Sequence, residues 1–243
     1  LPSSEGTSAL YSRDFLQTAA SRLSPEGLFC LWLPLYQHDE TMAGIVIRTF
    51  LEVFPNAIAL RGNFDPLQPT MALIGSRAPL NLSNEFLAQR LASEGARRAA
   101  SESPLFRSPA NFRLLFQGDL AAVREDFADF PAITDDRPIF AFIGPRVPPH
   151  GKALRGNTLL NWFGRRFQAA PLPSCRLGDT AAEEVRGGLD AGNYYFSAAI
   201  QNLPLPGAST EQQLSRLRNA ASALQTAQRL SPASSLVFGD LGF

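Results

Sequence analysis

The chain has little of what most metal-binding and nucleophilic sites are made from. Two cysteines, Cys30 and Cys175, and two histidines, His38 and His150, are spread over 243 residues. Two cysteines make neither a disulfide framework nor a zinc-ligand spacing. The histidines are too few and too isolated for a His-based metal site. No apolar run reaches the roughly 18 residues of a membrane-spanning helix, and no signal-peptide pattern is read at the start. Net charge is also lacking, with 22 basic residues against 22 acidic ones. That balance excludes the strong basic footprint of a nucleic-acid-binding domain. The nearest basic cluster is Arg155, Arg165 and Arg166. Arg165 and Arg166 stand beside Trp162 and Phe163 and read as the polar edge of a helix. No Ser/His/Asp order, Cys/His pair, phosphate loop or metal cluster stands out.

What is present is an ordinary globular composition, 45% hydrophobic, in a length that suits one good-sized domain with an appendage or two small domains. The longest apolar run is residues 27–37, GLFCLWLPLYQ. It is bounded by Pro25-Glu26-Gly27 and Gln37-His38-Asp39 and reads as a strand buried on both faces. Cys30, within it, is expected as a small core residue. Pro34 lacks a ladder donor, so pairing is expected to stop near it. Helical periodicity precedes the run over 10–23, where Phe15, Ala19 and Leu23 recur every four residues and Ser12 is a candidate N-cap. A second helical pattern follows over 39–54, with Met42, Ile45, Val46, Thr49, Phe50 and Val53 inward. Helix, buried strand, helix is the repeating unit of a layered α/β domain.

Farther along, residues 56–61 (NAIALR) and 70–75 (TMALIG) read as two short strands joined by a loop too long for a plain hairpin turn. Residues 82–91 form a helix, 92–103 are helical or loose, and 108–127 read as further helix, in one or two pieces. Residues 139–144 (IFAFIG) are a candidate closing strand. The segment 144–151, with three prolines, is the best linker. Helices are then expected over 154–167, 180–202 and 210–230. The last carries Leu214, Leu217, Ala221, Leu224 and Gln228 along one side. The paired glycines Gly187-Gly188 and Gly192 weaken the middle one.

The order of several motifs carries a resemblance. A loop leads into Leu10-Tyr11-Ser12-Arg13-Asp14-Phe15. Leu23-Ser24-Pro25-Glu26-Gly27 and the apolar run come next. Arg48-Thr49-Phe50, Val53-Phe54-Pro55 and Thr134-Asp135-Asp136-Arg137-Pro138 follow. Together they resemble the C-terminal half of the spermidine synthase-like (polyamine aminopropyltransferase) family, in its bacterial branch often fused to membrane-spanning segments. The resemblance covers roughly residues 1–145.

It implies an α/β fold, the C-terminal part of a Rossmann-like S-adenosylmethionine-dependent methyltransferase fold. Residues 28–35 would be the fifth strand, followed by an antiparallel hairpin, and residues 146–243 would be a mostly helical C-terminal region. It also implies a donor, S-adenosylmethionine or decarboxylated S-adenosylmethionine, bound by the parent protein and incompletely by this chain. The partners implied are the missing N-terminal half of the parent chain and a small-molecule substrate, with a homodimer as a further expectation and no nucleic acid. The location implied is cytoplasmic, with a tether to the inner membrane through a membrane-spanning part outside this chain.

By position in the family, Leu10 and Tyr11 follow the loop over the nucleoside and are candidate donor-binding residues; the alternative is that they anchor the first helix. Tyr36 and Gln37 lie past the carboxyl end of the apolar strand, where open α/β sheets bind ligands, and are candidate substrate residues. His38 beside them is otherwise a solvated cap, and Asp39 the N-cap of the next helix. Asp135 and Asp136 are candidate substrate residues too. Adjacent residues point to opposite sides of an extended chain, so they do not form one paired-carboxylate site; the alternative is a turn before Pro138. The catalytic residue is unknown. The family's Gly-rich nucleoside loop and catalytic aspartate have no match here, and its polyamine-binding Gln and Glu are replaced by Trp32-Leu33-Pro34. An apolar exit offers nothing to offset the desolvation of a diamine. Two readings follow: a transferase fragment, inactive alone, moving an aminopropyl or methyl group from an S-adenosyl donor to an amine or other nucleophile, or a non-catalytic binding or assembly module on the same fold.

Overall fold

A computed structural model describes residues 8–139, 153–168 and 170–236. The linker at 144–151 and the candidate strand beyond Ile139 lie outside these residues.

The first helix, α1 (Arg13–Ser21), follows a 3-10 turn at Ser8–Tyr11 and is started by Ser12, whose Oγ accepts the Phe15 N–H at 3.2 Å. That bond satisfies one of the amide groups a helix start leaves unpaired. Strand β1 (Phe29–Pro34) ends at its proline, and α2 (Glu40–Val53) begins at Asp39, whose carboxylate accepts the Met42 N–H at 2.8 Å. Strands β2 (Asn56–Arg61) and β3 (Thr70–Ser76) occupy the two segments expected of them. After β4 (Leu80–Asn81) come α3 (Asn84–Leu91), α4 (Glu94–Glu102) and the short α5 (Pro109–Arg113).

The stretch 108–127, read as helix in one or two pieces, is instead α5, strand β5 (Phe116–Asp119) and a 3-10 turn at Arg124–Phe127. Pairing overrides helical periodicity here. The Leu120 N–H donates to Ala57 O at 2.8 Å and the Arg61 N–H to Leu115 O at 2.6 Å, an antiparallel match to β2. Gly118 then has φ +156°, and a Cβ there would lie 2.2 Å from the Phe167 ring. The remaining elements are α6 (Gly156–Phe167), β6 (Cys175–Arg176), α7 (Ala182–Asn202) and α8 (Thr210–Leu230).

The main sheet has the order β1-β3-β2-β5, and β4 and β6 form a separate two-stranded ladder. The fold is therefore mixed α/β, with a sheet of mostly antiparallel strands. β1 pairs antiparallel with β3, Leu31 opposite Leu73 and Trp32 opposite Ala72. Among the described residues β1 is an edge strand, which corrects the expectation of burial on both faces. Leu31 and Leu33 are buried, whereas Cys30 is exposed and Trp32 is 56% exposed. Alternation along the strand sends these two sets to opposite faces.

The chain divides into two compact units. The first is drawn from Leu1–Leu60, Gln68–Leu80 and Gly118–Cys175. Its core is an aromatic cluster between α1, β1 and α2. Phe29 stacks on Phe54 at 5.5 Å between centroids, Phe50 lies 4.7 Å from Phe54, and Phe15 meets Phe29 edge-on at 6.3 Å. Gly75 on β3 lies under Phe50 and Phe54, with no room for a side chain.

The second unit is drawn from Arg61–Leu67, Asn81–Gln117 and Arg176–Phe243. Its spine is the helical pair α7 and α8. The glycines that weaken α7 as a helix let other chains approach it. A Cβ at Gly192 would be 2.2 Å from Leu114 O, at Gly188 2.7 Å from Arg113 Cβ, and at Gly187 2.6 Å from Leu230 O. Ser209 starts α8 with a reciprocal capping box to Gln212, and Arg216 reaches back to the carbonyls of Ile200, Gln201 and Leu203 at the end of α7. No helix among the described residues is long and apolar enough to cross a membrane.

Candidate functional site

The carboxyl end of β1 turns sharply. Residues Leu35–Gln37 form one 3-10 turn between the strand and α2. Tyr36 and Gln37 are half-buried there, and Gln37 Oε1 is enclosed without a hydrogen-bond partner among the described residues. His38 is fully buried rather than solvated. Its Nδ1 is 2.8 Å from Pro34 O. A carbonyl only accepts, so Nδ1 carries the proton and the ring is in that tautomer. Burial pushes the His38 pKa down; the Pro34 bond and the nearby Asp39 charge oppose the shift. The backbone is held as well, since His38 O accepts the Leu154 N–H at 2.8 Å. Asp39 Oδ1 is engaged in the α2 cap, so the exit presents an amide and a phenol beside a carboxylate held through one oxygen.

Leu10 and Tyr11 stand at the start of α1. Leu10 is exposed and Tyr11 is buried. The Tyr11 hydroxyl donates to Trp32 O at 3.4 Å, which brings this turn to β1. Asp135 and Asp136 are exposed in a turn closed by the Thr134–Arg137 bridge. The Asp135 N–H donates to Asp14 Oδ2 at 2.9 Å, so this turn lies against the first turn of α1. Among the described residues no hydrogen bond or ion pair joins Asp135 or Asp136 to Tyr36 or Gln37. Glu40, in the first turn of α2, binds Arg165 at 2.6 Å and sits 3.7 Å from Arg166. Arg166 also lies over the Trp162 ring at 5.0 Å. The two arginines are thus engaged in tying α6 to α2.

Sequence reasoning missed a buried polar centre at the end of β5. Asp119 is fully buried. Its Oδ1 accepts the Ser174 hydroxyl at 2.8 Å and the N–H groups of Ala121 and Ala122 at 3.0 and 3.3 Å; its Oδ2 accepts the Ser174 N–H at 2.6 Å and faces Cys175 Sγ at 3.8 Å. Ser174 Oγ accepts in turn from the Ala57 N–H at 3.1 Å. Burial raises the Asp119 pKa, and its hydrogen bonds counter that. Burial and the adjacent carboxylate push the Cys175 thiol far up, so it stays protonated and is a poor nucleophile. The Ser174 hydroxyl is held between the Asp119 carboxylate and the Ala57 N–H, and no histidine or lysine is among its partners. The arrangement is a staple that satisfies buried groups. A hint was present in the sequence: an aspartate directly after Gly118 in an apolar stretch.

In the second unit Arg61 is buried with its guanidinium on Gln117 Oε1 and on Asn193 Oδ1 at 2.9 Å, and 4.5 Å from the Phe196 ring centroid. Burial pulls its pKa down to about 9, which still leaves it charged near neutrality. No group of three or more His, Cys, Asp or Glu side chains able to hold a metal occurs among the described residues.

No family model, curated protein or solved structure matches the chain.

Proposed function

We propose that the chain is the C-terminal half of a spermidine synthase-like transferase. The parent would use S-adenosylmethionine or its decarboxylated form to move a methyl or aminopropyl group to an amine or other nucleophile, and this half is inactive alone. The single observation that carries the reading is the state of β1. It has an antiparallel neighbour on one side and, among the described residues, an open edge on the other, with Leu28, Cys30 and Trp32 exposed. A sheet that continued past β1 into an N-terminal half would use that edge and cover that face. The segments bearing the resemblance also fall, in order, on α1, β1, α2 and the turn at Asp135 and Asp136.

The described residues fit part of an S-adenosyl donor. Leu10 offers an exposed apolar surface suited to an adenine ring. Tyr11 is turned inward by its bond to Trp32 O. Among the described residues the acidic side chains at the β1 exit are engaged, Asp39 through Oδ1 in the α2 cap and Glu40 with Arg165. Tyr36 and Gln37 would orient a small substrate there, and Asp135 and Asp136 would attract a cationic one. Orientation of the two reactants is the main service this chemistry asks of a protein. Location on the cytoplasmic side, tethered through a part outside this chain, belongs to the same proposal.

A second reading, a non-catalytic binding or assembly module on this fold, is favoured by one observation: one oxygen of the Asp39 carboxylate is taken up by the α2 cap. Calorimetry separates the two. Titrating S-adenosylmethionine and its decarboxylated form into the intact parent should give micromolar binding, weakened at least about tenfold by Leu10→Asp without loss of thermal stability. The 243-residue chain alone should show none. Micromolar binding by this chain, or no binding by the parent, overturns the transferase reading.

A further inference from the structure

Past the end of α8 the chain is held by side chains from far away in the sequence. Asn111 on α5 is fully buried. Its Oδ1 accepts the Ser234 hydroxyl and the Ser235 N–H, each at 3.0 Å. Its Nδ2 donates to Pro104 O at 2.9 Å and to Ser235 Oγ at 3.4 Å. On α7 the Tyr195 hydroxyl donates to Leu236 O at 2.9 Å. Ser234 and Leu236 are buried, and Ser235 between them is exposed. The segment's own bonds are local: the Ser234 N–H donates to Ser231 O and the Leu236 N–H to Ser234 Oγ. All of these residues belong to the second unit.

These are the contacts of a bound peptide. Main-chain groups of two successive residues are read by buried side chains, and alternate side chains of the segment face inward. The Asn111 amide is oriented by its bond to Pro104 O, yet among the described residues its Oδ1 finds donors only in this segment. Emptying the site would leave an enclosed acceptor unpaired, which is costly. Among the described residues every helix and strand is complete before Ser231, so the segment is added to the fold rather than woven into it. We propose that the second unit carries a binding site for a Ser-x-Leu peptide and that the chain's own end fills it in cis. A partner with this three-residue chemistry binds by displacing that end. The site is separate from the β1 exit and does not rest on the transferase reading.

The test uses the full chain with its end released by Leu236→Asp, which would bury a charge, and a second chain with Ser235→Pro, which removes the N–H that Asn111 reads. The probe is a fluorescein-labelled, C-terminally amidated peptide with the sequence of residues 230–236, followed by anisotropy. Both released chains should bind it saturably, with Kd of about 10–300 μM, as suits one apolar anchor and a few hydrogen bonds. The unaltered chain should bind it at least about tenfold more weakly, because a linked segment competes at roughly millimolar effective concentration. Peptides carrying Ser234→Ala or Leu236→Asp should lose at least about tenfold in affinity for the released chains. Adding Tyr195→Phe to a released chain should weaken the unaltered peptide about threefold or more, which locates the site. Far-UV circular dichroism should be preserved in both released chains. No saturation below about 1 mM overturns the proposal. So does equal binding by released and unaltered chains, or by the altered peptides, and so does loss of helical signal in both released chains, which would make the segment core rather than ligand.

Discussion

His38 shows how one residue links burial to pH. Its ring is fully enclosed, its Nδ1 proton is committed to Pro34 O, and its pKa is depressed, chiefly by burial. The facing charge is Asp39, which partly opposes that shift. The folded protein therefore holds fewer protons than the unfolded chain just below the ordinary histidine range. Stability is full above about pH 6.5 and falls as pH drops toward the lowered folded value, then levels off. Urea midpoints followed from about pH 8 to pH 5 should show this loss, and His38→Gln should flatten it. An equal slope in the variant would assign the titration to other groups. In the sequence His38 reads as a cap at a strand exit. Its burial depends on residue 154 returning to bond its carbonyl, which no local pattern announces. Tyr36, Gln37 and Asp39 are legible, because strand exits and N-caps are local features.

Among the elements, α7 carries the clearest lesson. Three glycines in a 21-residue helix lower its intrinsic propensity, yet the helix is intact because each glycine lets a neighbour approach closely. Gly192→Ala should improve propensity and still destabilise, since the new Cβ would meet Leu114 O at 2.2 Å. Backbone must shift, at a cost of about 1–3 kcal/mol. A drop in melting temperature checks this; a rise would mean that propensity outweighs packing. β5 is the opposite case. Its sequence passes for helix, and the strand exists because β2 offers it hydrogen bonds. Pairing partners far apart in sequence are what helical and strand periodicity leave out. By contrast α1, α2, β2, β3 and α8 follow closely from caps, periodicity and breakers, all of them short-range.

For the whole molecule, the edge strand sets the risk. β1 leaves Leu28, Cys30 and Trp32 exposed beside an open row of backbone groups, and its strand residues carry no charge to deter pairing. The isolated chain should form large species on warming. Trp32→Lys should suppress those species in light scattering with little change in melting temperature, because Trp32 packs against little. Aggregation unchanged by Trp32→Lys would mean that the edge is not the route.

The sequence by itself determined several elements and where they start: Ser12 and Asp39 are caps by chemistry, and the apolar periods mark α1, α2 and α8. It also determined the order of motifs on which the proposed family rests. Tertiary structure alone decided which face of the apolar run is buried, that residues 116–119 are a strand, that Asp119 closes on Ser174, and that the two units interleave along the chain. The physical reason is range. Caps and periodicity depend on neighbours within a turn or two, whereas burial, strand pairing and polar closure depend on partners up to more than a hundred residues away, as Ala57 and Ser174 are.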